Sequence, residues 1–324
     1  MQLVISLTNS CNLNCKHCFV NKLSKINIDF SSLENVATTW DVSSVAMLGG
    51  EPFLYPDFKK VVKLFDIPVT IYTNGIVIGK NPDAVIEGDN IIYAVSIEGR
   101  KDFHENIRGE GTFDLVNSCL YTLSKKLEKE KIASLILRMT ISKENINDMY
   151  YVKKLADRLG AKVMYFPYIG NREPFPAELQ LKLFRFAIIN DNVTIYSPQF
   201  WQFCGYNRST CQAGLYRLHI AEDGDVNPCQ WIRNSIFGNI DCFDFDYFKE
   251  RGAEYHEDFV TIKKGCERCI HASECRGGCR LCSDYLSCPI KRRVTANNYL
   301  NINELKIAST KYEKTFKGLK VVGC

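Results

Sequence analysis

Residues 11–18 read Cys-Asn-Leu-Asn-Cys-Lys-His-Cys, and the C-x3-C-x2-C spacing of the three cysteines decides how the rest of the chain is read. The string follows a short apolar run over residues 3–8, which places it in the loop after a first strand. Thiolates are soft ligands that suit zinc and iron–sulfur clusters alike, so spacing must separate the two. Structural zinc sites pair cysteines as C-x2-C and close with four ligands. Here three ligands stand together without a local fourth, and His17 lies between two of them. Three thiolates on a four-iron cluster leave one iron open to a substrate or cofactor, as a catalytic zinc keeps an open position.

Outward from this loop, strand-like and helix-like segments alternate. Residues 44–48 run into Gly49-Gly50, residues 68–73 stop at Asn74-Gly75, and residues 91–97 stop near Gly99. Two further strand-like runs cover 135–141 and 162–167, and helical spacing covers 115–127 and 148–159. Ser31-Ser32-Leu33-Glu34 reads as a capping box opening a helix, with Ser31 and Glu34 in the reciprocal roles. Six strands separated by helices is the pattern of a parallel α/β sheet or a partial barrel. Beyond residue 199 the apolar periodicity fades and Cys and Gly rise, until a terminal helix is expected over 301–316. The expected divisions are therefore 1–195, 196–290 and 291–324. The middle segment, poor in periodic apolar structure, is expected to need metal staples.

The chain has 324 residues, 46% apolar and 24% charged, which fits a globular protein with a sizeable core. A net charge of +4 with no basic run longer than Lys291-Arg292-Arg293 does not argue for nucleic acid. No run of apolar residues is long enough to span a membrane, and the first residues lack a secretory pattern. Of fifteen cysteines, ten fall between residues 204 and 288; such clustering without an export signal points to metal in a reducing, cytoplasmic setting.

The C-x3-C-x2-C trio resembles that of the radical S-adenosylmethionine (SAM) enzymes, whose signature carries an aromatic residue or His just before the third Cys, the slot of His17. Gly49-Gly50-Glu51-Pro52 looks like the family's GGEP motif, whose backbone and Glu hold the methionyl amine of SAM; glycines there let the backbone approach the cofactor without a Cβ in the way. Thr73-Asn74-Gly75 is similar to the family's TNG turn, a polar contact to SAM. Ser96-Ile97-Glu98-Gly99, residues 102–108 and Gly111-Thr112-Phe113 resemble the S-I-D-G…H-D-x-x-R…G-T-F stretch of the peptide- and protein-modifying branch, with Glu98 and Glu105 where Asp is commoner. The resemblance places Ser96 near the SAM ribose and makes Arg108 the cation near the cofactor, with His104 a structural hydrogen-bonder.

A second constellation is similar to the family's SPASM extension. Cys211 is followed by twelve residues, Gly224, four residues and Cys229, and then by Cys266-x2-Cys269-x5-Cys275-x3-Cys279. The resemblance implies that Cys204, Cys211, Cys229 and Cys279 hold an auxiliary cluster I. Cys266, Cys269, Cys275 and a later Cys would hold cluster II. Cys288, followed by Pro289, is preferred for that last place over Cys324 and Cys282. Three 4Fe–4S clusters are thus implied. Cys119 and Cys242 match no ligand slot, and Cys119 reads as a small buried hydrophobe.

The implied fold is α/β, a partial (β/α)6 barrel followed by a small Cys-rich SPASM domain, with the SAM cluster at the C-terminal ends of the strands. The implied activity is reductive cleavage of SAM to methionine and a 5′-deoxyadenosyl radical, which abstracts hydrogen from a peptide or protein side chain to form a crosslink or an oxidised product. Implied partners are the peptide or protein substrate and an external electron donor such as flavodoxin or ferredoxin; with no winged-helix leader-binding segment before residue 2, either a separate leader-binding protein presents the peptide or the enzyme needs no leader. Two other readings stand beside this one: a cofactor-pathway enzyme such as a haem decarboxylase, and a non-enzymatic iron–sulfur electron carrier. A carrier has no use for GGEP and SIEG. Gln230 stands where sulfatase-maturating relatives carry an Asp base, and an amide cannot take a proton there, so formylglycine formation is not expected.

Overall fold

The computed structural model describes residues 1–20, 25–168, 176–196 and 212–259. Six strands form where the apolar runs predict them: β1 (Gln2–Ser6), β2 (Ser44–Leu48), β3 (Val69–Thr73), β4 (Gly88–Ser96), β5 (Ile132–Ile141) and β6 (Lys162–Pro167). Strands β1 to β5 pair in chain order and all in parallel. Between them run α1 (Phe30–Thr39), α2 (Phe58–Val62), α3 (Ile76–Lys80), α4 (Lys101–Arg108), α5 (Thr112–Glu128) and α6 (Met149–Arg158). Helix α1 opens earlier than the capping-box reading, because the Asp29 carboxylate accepts from Ser31 N at 3.1 Å and leaves Ser31 inside the first turn.

The register divides the sheet into two unlike faces, since side chains alternate along a strand and residues paired across strands share a face. One face carries Leu3, Val45, Val69 and Ile91 in one row, and Ile5, Met47, Ile71, Tyr93 and Leu135 in the next. All nine are buried, forming the core against the helices. The opposite face mixes Gln2, Ser6, Thr70, Tyr72, Ser96 and Arg138 with Val4, Ala46, Ile92, Ala94 and Ile136, so its polar groups need partners that an apolar core would not supply.

The described residues divide into two units that do not follow chain order. The first comprises 1–20, 25–139, 148–163 and 212–259; the second comprises 140–147, 164–168 and 176–196. In the second, α7 (Ala177–Ile189) and β7 (Val193–Ile195) are joined to the end of β6: Tyr196 N donates to Tyr165 O at 2.9 Å, and the Phe166 and Tyr196 rings stack at 4.7 Å.

Residues 212–259 carry more regular structure than the faded periodicity predicts. Strand β8 (Arg217–Ile220) pairs in parallel with β1, β9 (Asp225–Asn227) returns antiparallel, and β10 (Gly238–Asn239) follows antiparallel to β9. The segment thereby extends the first unit's sheet and borrows its core. A fifteen-residue helix, α8 (Phe245–Phe259), also went unread. Its sequence, FDYFKERGAEYHEDF, is half charged and interrupted by Gly252, which hides the apolar stripe. Phe245 and Phe248 pack on Trp40 with ring centroids 4.9 and 5.4 Å away, and a Cβ at Gly252 would land on the Gly214 carbonyl oxygen. The terminal helix expected over 301–316 lies outside the described residues.

Candidate functional site

The loop bearing Cys11, Cys15 and Cys18 leaves β1 and passes over the turn that ends β2. Gly50 N donates to Thr8 O at 2.7 Å and Glu51 N to Ser10 O at 2.8 Å. A Cβ at Gly49 would fall on the Thr8 carbonyl oxygen, and one at Gly50 on the Ser10 carbonyl oxygen; Gly49 also has φ +152°. The two glycines therefore make room for the cysteine loop's own backbone. Asn9, which sequence reading passed over, pins the far stem by accepting from Ile26 N at 2.8 Å.

Glu51, Thr73 and Asn74 come together as their motifs imply. One Glu51 oxygen accepts from Thr73 Oγ1 at 2.7 Å and the other from Asn74 N at 2.8 Å. Burial pushes the Glu51 carboxyl up to about 7 against these hydrogen bonds, which favour the anion. Pro52 opens a 3-10 turn capped by Glu51. Asn74 Nδ2 then reaches across to Asn12 Oδ1 at 2.8 Å and to Cys11 Sγ at 3.8 Å, and Leu13 N donates to the same sulfur at 3.5 Å.

The other flank of the loop is charged. Glu98, at the C-terminal end of β4, accepts on one oxygen from Arg108 Nε at 2.9 Å and Nη2 at 2.5 Å. Arg108 Nη1 lies 3.8 Å from Cys15 Sγ. His17 Nε2 is 3.6 Å from the same Glu98 oxygen, and burial lowers its pKa to about 4, so it is neutral at pH 7. His104 accepts from Glu98 N through Nδ1 at 3.2 Å and is likewise held near 4 by burial, in keeping with a structural role. Lys16 N donates to Ile107 O at 3.0 Å, which stitches the loop to the end of α4. Ser96 pairs across the sheet with the half-buried Arg138, whose guanidinium carbon lies 5.4 Å from the Tyr72 ring centre. No sequence motif singled out Arg138. Its signal was the single charged residue in β5, whose sequence is IASLILRMTI.

A further polar group, also unread, joins β1 to β8. Ser6 Oγ lies 2.9 Å from His219 Nε2, and Arg233 Nη1 forks onto both Glu222 oxygens at 2.9 Å each. Burial, with Arg233 nearby, lowers His219 to about 3. Cys229 is half-buried, with Sγ 3.6 Å from Gln230 Oε1. The Phe19 ring, next to Cys18, packs on Trp231 at 4.1 Å, which brings the segment after Cys229 to the cysteine loop. Cys204, Cys211, Cys266, Cys269, Cys275, Cys279 and Cys288 lie outside the described residues. Cys119 is fully buried and its thiol is pushed up by burial, as a small core hydrophobe would be.

Among the described residues, no three His, Cys, Asp or Glu side chains converge on a single metal ion. What does converge is a set of N–H donors on the sulfurs of Cys11 and Cys15, neither of which is in a disulfide. Donors to sulfur suit thiolates that carry an iron–sulfur cluster. The loop thus fits such a group on its donor chemistry.

Residues 5–156 match the Radical SAM superfamily, and the chain carries a radical SAM domain. Among curated proteins it is 25% identical over 250 residues to the sporulation killing factor maturation protein SkfB of Bacillus subtilis, covering 70% of this chain and 59% of that one. It is 22% identical over 262 residues to the antilisterial bacteriocin subtilosin biosynthesis protein AlbA of the same organism, covering 74% and 57%. The chain thus spans somewhat over half the length of these relatives. The solved structure of anSMEcpe with bound AdoMet and a Kp18Cys peptide superposes with TM-score 0.72 at 18% identity, covering 95% of this chain and 99% of that one. The described residues have no helix long and apolar enough to cross a membrane.

Proposed function

We propose that the chain is a radical SAM peptide maturase: Cys11, Cys15 and Cys18 hold a 4Fe–4S cluster, and a peptide or protein side chain is the substrate. The observation that carries this is the convergence of donors from Asn74, Leu13 and Arg108 on the loop's sulfurs, inside the matched domain. When bound, the cluster supplies the electron that cleaves SAM into methionine and a 5′-deoxyadenosyl radical. The chain's own residues bind and orient. The backbone at Gly50 and the Glu51 carboxylate receive the methionyl amine, and Thr73 and Asn74 fix the turn that carries them. On the same face of the sheet, Ser96 would face the ribose, and Arg138 is a half-buried cation able to meet the methionyl carboxylate. The Phe19 and Trp231 rings, packed together beside Cys18, cover that edge of the cysteine loop.

The names of SkfB and AlbA, and the peptide in the anSMEcpe structure, support a peptide substrate. The SPASM reading completes the proposal: a partial barrel, auxiliary cluster I on Cys204, Cys211, Cys229 and Cys279, and cluster II on Cys266, Cys269, Cys275 and Cys288. Flavodoxin or ferredoxin would be the donor, and a leader-binding protein would present the peptide in the cytoplasm. Mass spectrometry of a small peptide encoded beside the gene, co-expressed with the enzyme, tests this. A loss of hydrogens that depends on Cys11, Cys15 and Cys18 is expected, whereas an unchanged peptide and a decarboxylated porphyrin would favour the haem-pathway reading.

A further inference from the structure

Arg108, the cation that its motif implies near the cofactor, lies against the cysteine loop. Its guanidinium is buried and already committed: Nε and Nη2 both donate to one oxygen of Glu98, and Nη1 is left facing Cys15 Sγ at 3.8 Å. Arginine's planar fork makes this division of labour possible, because its donors point along fixed directions on two edges. Glu98 is 1% exposed and Arg108 8% exposed, so neither charge is screened by bulk water.

We propose that Arg108, anchored by Glu98, is a positioning residue that sets the reduction potential of the cluster on Cys11, Cys15 and Cys18 through its contact to the Cys15 sulfur. This rests on the reading of that trio as cluster ligands. Reduction moves one electron from a low-potential one-electron donor to the cluster; no bond breaks, the donor is oxidised by one electron and the cluster gains one negative charge. An N–H donor and a cation against a ligand sulfur stabilise the more negative, reduced form more than the oxidised one. Glu98 lies on the far edge of the guanidinium. Its charge opposes the effect from a greater distance, while its geometry holds Nη1 on the sulfur. A lysine has one compact ammonium and cannot serve both partners with this orientation.

The test is an EPR-monitored redox titration of the reconstituted full chain, following the signal that SAM perturbs, which marks the cluster with the open iron. Arg108→Gln is expected to lower the ratio of reduced to oxidised cluster at fixed poise by about tenfold, equivalent to about 59 mV for a one-electron couple. Arg108→Lys should fall between that variant and the unaltered protein. Glu98→Gln, which removes the opposing charge, should raise the ratio. Unchanged midpoints in Arg108→Gln and Arg108→Lys with iron retained would overturn the proposal. So would weaker SAM binding in Arg108→Gln without a shift in midpoint, which would make Arg108 a direct cofactor contact. If Arg108→Gln fails to hold iron, Arg108→Lys and Glu98→Gln decide: shifts of opposite sign support the proposal, and no shift in either overturns it. Absence of any SAM-perturbed signal in the unaltered protein would overturn the ligand reading on which it rests.

Discussion

Replacing Glu51 by Gln should change the pH dependence of stability in a direction the structure fixes. The Glu51 carboxyl is buried and moves from an ordinary 4.5 to about 7 on folding. A group whose folded pKa is raised contributes its full stability below the unfolded pKa and loses it as pH rises through the folded one. The protein should therefore lose stability through Glu51 between about pH 4.5 and 7. At about 1.4 kcal/mol for each tenfold, the loss is about 3 kcal/mol. The neutral amide of E51Q does not titrate and adds no such dependence. The buried histidines 17, 104 and 219 have lowered pKa values and pull the opposite way, because they lose stability as pH falls below 6.5. They are present in both proteins, so the difference between E51Q and the unaltered chain cancels them. Urea unfolding without SAM at pH 5, 6, 7 and 8 measures that difference. E51Q should gain on the unaltered chain by about 2–3 kcal/mol from pH 5 to pH 8. SAM, bringing an ammonium group to Glu51, should bind the unaltered protein more tightly as pH rises through 7 and E51Q with no such trend. A stability difference flat in pH would refute the placement of this carboxylate in a dry pocket.

Other consequences follow from packing and ligation. Gly50→Ala places a methyl on the Ser10 carbonyl oxygen, so it should cost about 1–3 kcal/mol and lower iron occupancy of the cysteine loop, read by thermal unfolding and iron assay. Phe248→Ala removes a fully buried ring packed on Trp40; it should destabilise the protein by about 3–5 kcal/mol in urea unfolding while leaving SAM-cluster EPR spectra unchanged in shape. Cys288→Ala should lose about four irons, the complement of one 4Fe–4S cluster, whereas Cys324→Ala should lose none. The reverse pattern of iron loss would transfer the ligand to the C-terminal residue.

What the sequence disclosed was local. The first four strands run into motifs whose residues lie close together in the chain, so a family resemblance could be recognised there and implied roles for Cys11, Gly49, Glu51, Asn74 and Ser96. What it concealed was register and distance. Arg138 faces Ser96 only because β4 and β5 pair in parallel, and Ser6 meets His219 across 213 positions because β8 joins β1. The close packing of the glycine pair on the cysteine loop's backbone was also hidden, because spacing does not show which distant segment passes over a turn. Asp29 displaced Ser31 as a cap because both residue types cap well and only the backbone decides between them. In α8 the charge content masked two buried phenylalanines whose partner, Trp40, lies far earlier in the chain.

The measurement closest to the central claim is reductive cleavage of SAM by the anaerobically reconstituted chain, with 5′-deoxyadenosine and methionine quantified together with iron. The unaltered protein should hold about twelve irons, four for each of three cubanes, and form 5′-deoxyadenosine when supplied with a low-potential reductant. The triple variant Cys11→Ala, Cys15→Ala, Cys18→Ala should keep about eight irons and form none. Stoichiometric zinc in place of iron, or 5′-deoxyadenosine formed equally well by the triple variant, would contradict the assignment of this loop as the radical SAM centre.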